Sequence, residues 1–203
     1  MKQQIVIIHG GDTFNTYKEY LKFLKGWKID FDNIKKKRTD WKDNLSKTLG
    51  EKFEVIAPKM PNKLNAKYLE WKIWFEKFIP HFNSRVILIG HSLGGIFLAK
   101  YLSENRSPKK IIALFLVSAP FDEKDTPYPL GDFKLPKSLE KINQQVKKIF
   151  IYQSTDDPVV PFADFKKYQA ALKNLTARIL KKREHITQEK FPEIIKDIRN
   201  LSK

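Results

Sequence analysis

Arg85-Val86-Ile87-Leu88-Ile89 runs directly into Gly90-His91-Ser92-Leu93-Gly94-Gly95, and that in turn into Ile96-Phe97-Leu98-Ala99-Lys100-Tyr101-Leu102. The first stretch reads as a buried strand, and the last has the length and composition of a buried helix. Between them the spelling is G-x-S-x-G in the context of strand, turn and helix. A serine at such a sharp corner sits in strained backbone, and residues two before and two after it must be small if strand and helix are not to collide. Gly90 and Gly94 meet that condition. The backbone N–H of Leu93, at the start of the helix, then points where negative charge would develop on an attacked carbonyl, with the helix dipole behind it.

On either side of this stretch, short apolar runs alternate with longer amphipathic ones. Residues 5–8, 53–56, 85–89, 111–117, 148–152 and 177–180 are rich in Ile, Val, Leu and Phe and nearly continuous, the pattern of a parallel sheet covered on both faces. Between them, Tyr68, Trp71, Phe75 and Phe78 or Ile79 recur at helical spacing before Pro80. Phe162, Phe165, Tyr168 and Leu172 mark another helix, and Phe191, Ile194, Ile195, Ile198 and Leu201 a C-terminal one. These aromatic stripes, Trp71 and Trp74 included, read as core. The expected architecture is α/β: about six mainly parallel strands with helices on both faces, in a single domain over 1–203. Two stretches depart from plain alternation and are candidates to shape a pocket. Residues 13–50 have room for two helices, and residues 118–145 form a Pro-rich loop whose Phe121, Tyr128 and Phe133 could roof a pocket.

Composition narrows the chemistry. The chain has 203 residues, 41% of them hydrophobic and 13% aromatic, enough apolar material for one core and too little length for two comfortable domains. It has no cysteine, which excludes disulfides, thiolate metal sites and a Cys nucleophile. The apolar run at 5–8 is too short for a signal-peptide core, and no stretch approaches the ~18 apolar residues of a membrane span; a cytoplasmic location is the expectation. Thirty-nine basic against 23 acidic residues give a formal charge of +16. Only Lys35-Lys36-Lys37-Arg38 forms a tight run, so the excess reads as a lysine-biased solvated surface, with attraction to anions or to a membrane surface as the alternative and nucleic acid not the expected partner.

A serine hydroxyl needs an imidazole to take its proton, and the imidazole needs a carboxylate to fix its tautomer. Of the four histidines, His9 ends the first strand, His91 lies inside the elbow, and His81 follows a helix stop. His185, between the last strand and the last helix, is left as the base. The acid belongs between serine and histidine in chain order. Asp156 and Asp157 both follow the strand at 148–152; Asp157 is preferred, with Asp156 its competitor in an Asx turn and Asp122 an outside alternative. Ser92, Asp157 and His185 all fall just past strand C-termini, the edge where ligands bind in open α/β sheets. A second oxyanion donor is expected from His9-Gly10-Gly11-Asp12, through the N–H of Gly11 or Asp12, with His9 structural.

At this point the chain resembles an α/β-hydrolase, and more narrowly the small, nearly lidless serine hydrolases of the retinoblastoma-binding protein nine family. The resemblance rests on His9-Gly10, Pro58-Lys59-Met60-Pro61, Gly90-His91-Ser92-Leu93-Gly94-Gly95, Leu116-Val117-Ser118-Ala119, Ser154-Thr155-Asp156-Asp157-Pro158 and His185, ordered over nearly the whole chain. It implies that the second Asp of Asp-Asp-Pro, Asp157, is the acid. Members usually place Gly before the histidine, where this chain has Glu184, and the segment before Pro58 is longer than usual.

The resemblance implies esterase-like hydrolysis of a small-molecule acyl substrate, esters or thioesters first and amides second, with no metal or organic cofactor. The contrasting expectation is a hydrolase-fold module with an idle triad that binds protein or anionic partners.

Overall fold

The computed structural model describes residues 2–35 and 39–201; most of the basic run, 36–38, lies outside the described residues. Six strands, β1 (Gln3–Ile8), β2 (Phe53–Ile56), β3 (Arg85–His91), β4 (Lys110–Val117), β5 (Ile149–Ser154) and β6 (Leu175–Leu180), form one sheet in the order β2-β1-β3-β4-β5-β6. Every neighbouring pair is parallel. Each expected strand is present with its ends within two residues of the sequence reading. The chain goes from β1 outward to β2 and then returns to the other side of β1 for β3. The loops leaving β1 and β3 therefore diverge and open a crevice at their C-terminal ends.

Residues on the two faces of these strands sort into two cores. Val6, Ile8, Leu88, Leu114 and Ile151 pack under α4 (Tyr68–Phe78), α5 (Leu93–Glu104) and α7 (Phe162–Ala171). Ile5, Ile7, Ile89, Phe115 and Tyr152 pack under α3 (Trp41–Leu49) and α8 (Pro192–Asn200). Helix α5 is buried almost all round, as its largely apolar composition requires, and each buried aliphatic side chain contributes roughly 1.5–3 kcal/mol. The last helix of the sheet's chain order before β5 is the short α6 (Glu140–Gln145).

Three expectations are corrected. Residues 13–50 hold three helices rather than two: α1 (Tyr17–Gly26), α2 (Phe31–Lys35) and α3. The five residues of α2 are too few to show a period. Trp74 is 41% exposed while Trp71 is 0% exposed. Only the Tyr68, Trp71, Phe75 row of α4 turns inward, and Trp74 instead donates its indole N–H to Lys59 O at 3.0 Å. Strand β6 is an edge strand and only half-buried.

Helices α1 and α3 begin in capping boxes, Thr16 with Glu19 and Asp40 with Asp43, each engaging two otherwise unpaired amides.

Candidate active site

The corner after β3 adopts the geometry its glycines permit. Ser92 has φ 54 and ψ −124, a left-handed region that a non-glycine residue occupies at a cost. Its own N–H is held by Val117 O at 2.8 Å, and its carbonyl accepts from Gly95 N at 2.8 Å. A Cβ on Gly90 would meet Gly95 Cα at 2.6 Å, and one on Gly94 would meet His9 O at 2.6 Å. The crossing of β3 with α5 is therefore closed to any larger residue. Among the described residues, the N–H of Leu93 makes no intramolecular hydrogen bond, as befits the first turn of a helix.

His185 Nδ1 lies 3.1 and 3.0 Å from the two carboxylate oxygens of Asp157. Because the carboxylate only accepts, Nδ1 carries the proton and Nε2 is left as the basic nitrogen. Asp157 also accepts from Val159 N at 2.9 Å, Val160 N at 3.0 Å and Gln153 Nε2 at 3.0 Å. Burial alone would raise its pKa; the His185 hydrogen bond and charge, with the Val160 and Val159 amides, outweigh burial and hold it below the usual carboxylate range. Asp156 is exposed and is bonded by the Ser154 hydroxyl, and Asp122 is paired with Lys167 at 2.7 Å. Of the three candidate acids, only Asp157 is brought to His185.

The loop after β1 separates its two candidate donors. Asp12 N–H is engaged by Lys63 O at 2.7 Å, which takes it out of the pair and leaves Gly11, whose N–H has no partner among the described residues. Gly11 is also forced to be glycine, since a Cβ there would meet Lys63 O at 2.6 Å. His9 is a structural pin: its Nδ1–H is accepted by Gly10 O at 2.6 Å and its Nε2 accepts from Met60 N at 2.9 Å. Burial first lowers its pKa.

Gly11, Ser92, Leu93 and His185 line one cleft of about 630 Å3, walled by Phe14, Phe23, Leu64, Tyr128, Leu130 and Val160. Of the three aromatic residues expected over the pocket, Tyr128 is there. Phe121 is instead packed edge-on against Tyr168, and Phe133 is fully buried among Tyr68, Trp71 and Phe97. Both turn inward because the Pro-rich loop lies against α4, α5 and α7, so its larger rings complete the core. Phe14 and Phe23 stand there as well, on the 13–50 segment named as a candidate to shape a pocket, although nothing in its spacing singles out these two rings. A larger groove of about 860 Å3 runs between α3 and α8 and holds none of these residues.

The one carboxylate group that could gather a cation among the described residues is Asp122, Asp125 and Asp164. It already surrounds the Lys167 ammonium, at 2.7, 3.1 and 2.9 Å.

A family model described as serine hydrolase matches residues 27–194. The chain belongs to the serine hydrolase family. It is 29% identical over 153 residues to the serine hydrolase RBBP9 of Rattus norvegicus, covering 73% of this chain and 78% of that one. Among solved structures, the ydeN gene product of B. subtilis superposes with a TM-score of 0.73 over 100% of both chains at 19% identity. A putative YdeN-like hydrolase of Pectobacterium atrosepticum superposes with 0.68 over 99% of this chain and 91% of that one at 15% identity. These likenesses place the fold among the α/β-hydrolases. No helix among the described residues is long and apolar enough to cross a membrane.

In this serine hydrolase the histidine loop is held from the far side by α3, a role that the sequence does not announce. Trp41 donates its indole N–H to Ile186 O at 2.8 Å and its backbone N–H to Gln188 O at 2.9 Å. The neighbouring Lys42, ion-paired with Asp40, lies 3.5 Å from His91 Nδ1, and His91 Nε2–H donates to the carbonyl of His185 at 2.9 Å. Burial, then the Lys42 charge, pushes the His91 pKa well down, so the ring is neutral and can accept at one nitrogen while donating at the other. Asp40, Lys42 and His91 thus form a chain of contacts ending on the backbone of His185. The capping box at Asp40 is visible in sequence; the pairing across 145 residues is not.

Proposed function

We propose that this serine hydrolase cleaves small acyl esters or thioesters through Ser92, His185 and Asp157. The observation that carries the reading is the tautomer: Asp157 holds the Nδ1 proton of His185, which leaves a basic Nε2 in the cleft that Ser92 also lines. His185 Nε2 takes the Ser92 proton as Oγ bonds to the carbonyl carbon. The amides of Leu93 and Gly11 stabilise the oxyanion, and Asp157 stays ionised beside the imidazolium. The tetrahedral centre collapses, the bond to the leaving alcohol or thiol breaks, and His185 returns its proton to that group. Water then repeats the sequence on the acyl-enzyme, giving up a proton to His185, and Ser92 is released with a carboxylic acid. The apolar walls of Leu64, Tyr128, Leu130 and Val160 suit the acyl chain of a small substrate, and the reading makes no use of a metal or cofactor.

The test is turnover of short-chain p-nitrophenyl esters and thioesters. His185→Ala and Asp157→Asn should each lower kcat/KM by roughly 10^3- to 10^4-fold with unchanged circular dichroism. A wild-type protein that turns over neither class would return the account to a binding module with an idle site.

A further inference from the structure

Helix α1 is unlike every other long helix of the molecule: none of its residues is buried. It is tied down by Phe14, whose ring meets those of Tyr20 and Phe23 at 5.5 and 5.0 Å, so one side faces the protein. A quarter turn away, Tyr17, Leu21 and Leu24 follow each other at spacings of four and three, one row along the helix. Tyr17 is 67% exposed, and the exposed apolar surface continues past the helix through Trp27, Ile29 and Phe31. Lys18, Lys22 and Lys25 form the adjoining row. The one acidic residue of the helix, Glu19, accepts the N–H groups of Asn15 and Thr16 in the cap. Between 17 and 38 the sequence has eight basic and three acidic residues. A row of aromatic and aliphatic side chains left in water beside a row of lysines is costly on a solvated face and has a use at a boundary between oil and anionic charge.

We propose that α1 and the chain through Phe31 form a docking surface for an anionic lipid membrane. In it, Tyr17, Leu21, Leu24 and Trp27 enter the headgroup boundary while Lys18, Lys22 and Lys25 meet lipid phosphates. Nucleic acid fits the lysines alone and would leave the apolar row in water; a lipid surface uses both rows. The position adds a consequence. Phe14 and Phe23, on the protein-facing side of the same segment, line the cleft of Ser92 and His185, so docking sets a wall of that cleft against the membrane. The docking itself does not depend on the hydrolase reading.

The experiment is co-sedimentation of the full chain with phosphatidylcholine vesicles, with and without about 30% phosphatidylserine, at low and at high salt. Binding is expected on the anionic vesicles, weakened by salt and at least about tenfold weaker on neutral ones. Replacing Leu21 and Leu24 together by Ser should weaken it about tenfold. Lys18→Gln, Lys22→Gln and Lys25→Gln together should weaken it about a hundredfold. Both variants should melt at the wild-type temperature, since these side chains support no core. Equal partitioning onto neutral and anionic vesicles, or none onto either, overturns the proposal. So does retention on duplex nucleic acid or an acidic polypeptide that survives the leucine replacements while vesicles are ignored. Fluorophosphonate labelling of the same preparations reports the hydrolase site separately, so the failure of one reading is not mistaken for the failure of the other.

Discussion

The elbow that carries Ser92 and the loop that carries His185 are both strained, and they are held in opposite ways. At the elbow a single non-glycine residue has positive φ; the glycines its corner needs stand two residues to either side, at Gly90 and Gly94, and β1 and β4 close round it through the Ile8 and His9 carbonyls and Val117 O. In the histidine loop three residues have positive φ: Lys182, Glu184 and the fully buried, β-branched Ile186. No glycine relieves them. The loop is gripped instead by distant groups. Trp41 bonds Ile186 O, the Ser154 hydroxyl accepts from Arg183 N at 3.1 Å, and Arg183 pairs with Glu193 at 2.7 Å. The glycines that permit strain at the nucleophile are written locally, whereas at the base no nearby glycine helps and tertiary contacts alone maintain the strain. The elbow should therefore fail when a Cβ is added, and the loop when a remote partner is removed.

The largest effect is expected at the elbow. Gly94→Ala sets a Cβ against the carbonyls of Ile8 and His9, backbone atoms with nowhere to go, and should cost at least about 3 kcal/mol, the upper end for overpacking. Gly26→Ala is the control, because a Cβ there meets nothing within 4 Å, and its melting temperature should not fall. If both variants melt alike, the crowding at the elbow does not constrain the fold.

Next is the loop. Trp41→Phe removes the hydrogen bond to Ile186 O and, in this buried position, part of the ring as well, costing about 2–4 kcal/mol of stability. Displacement of His185 should lower kcat roughly tenfold or more, with KM little changed. A variant of unchanged kcat would show that the Trp41 indole bond is not needed to aim the histidine.

A smaller effect follows from the half-buried His9 and the buried His91. His9 and His91 have pKa values lowered from an ordinary 6.5. Below that pH the unfolded chain takes up protons that the native rings refuse, so stability falls as pH drops below about 6.5 and is regained as pH rises. Thermal midpoints should rise between about pH 5 and pH 7, and His91→Gln, whose amide can still reach His185 O, should flatten the rise.

Smallest is Glu184→Gly. Glu184 has φ 46, a conformation that glycine adopts without strain. Relief of left-handed strain, partly offset by glycine's greater unfolded freedom, should raise stability by up to about 1 kcal/mol. A fall in melting temperature would mean that the Glu184 side chain holds the loop.

What could be read from sequence divides along the same line. The six strands and the strand–turn–helix of the elbow depend on local spacing and composition and are legible there. The engagement of Asp12 N–H by Lys63 O was not, because it is decided by a turn some fifty residues away. Phe121 and Phe133 were misplaced because an aromatic residue in a Pro-rich loop carries no mark of which way it turns. Trp41, with Leu45 and Leu49, reads as a helix row, but the bonds from Trp41 and Lys42 to the histidine loop and His91 carry no sequence signal, since those partners lie on β3 and beyond β6. The five-residue α2 was too short to register as periodic.

The most direct test of the central claim is to treat the protein with a fluorophosphonate, locate the adduct by peptide mass spectrometry, and repeat with Ser92→Ala and His185→Ala. The account predicts one adduct, on Ser92, absent from Ser92→Ala and formed far more slowly in His185→Ala. An adduct on another residue, or wild-type labelling that His185→Ala leaves unchanged, would contradict it.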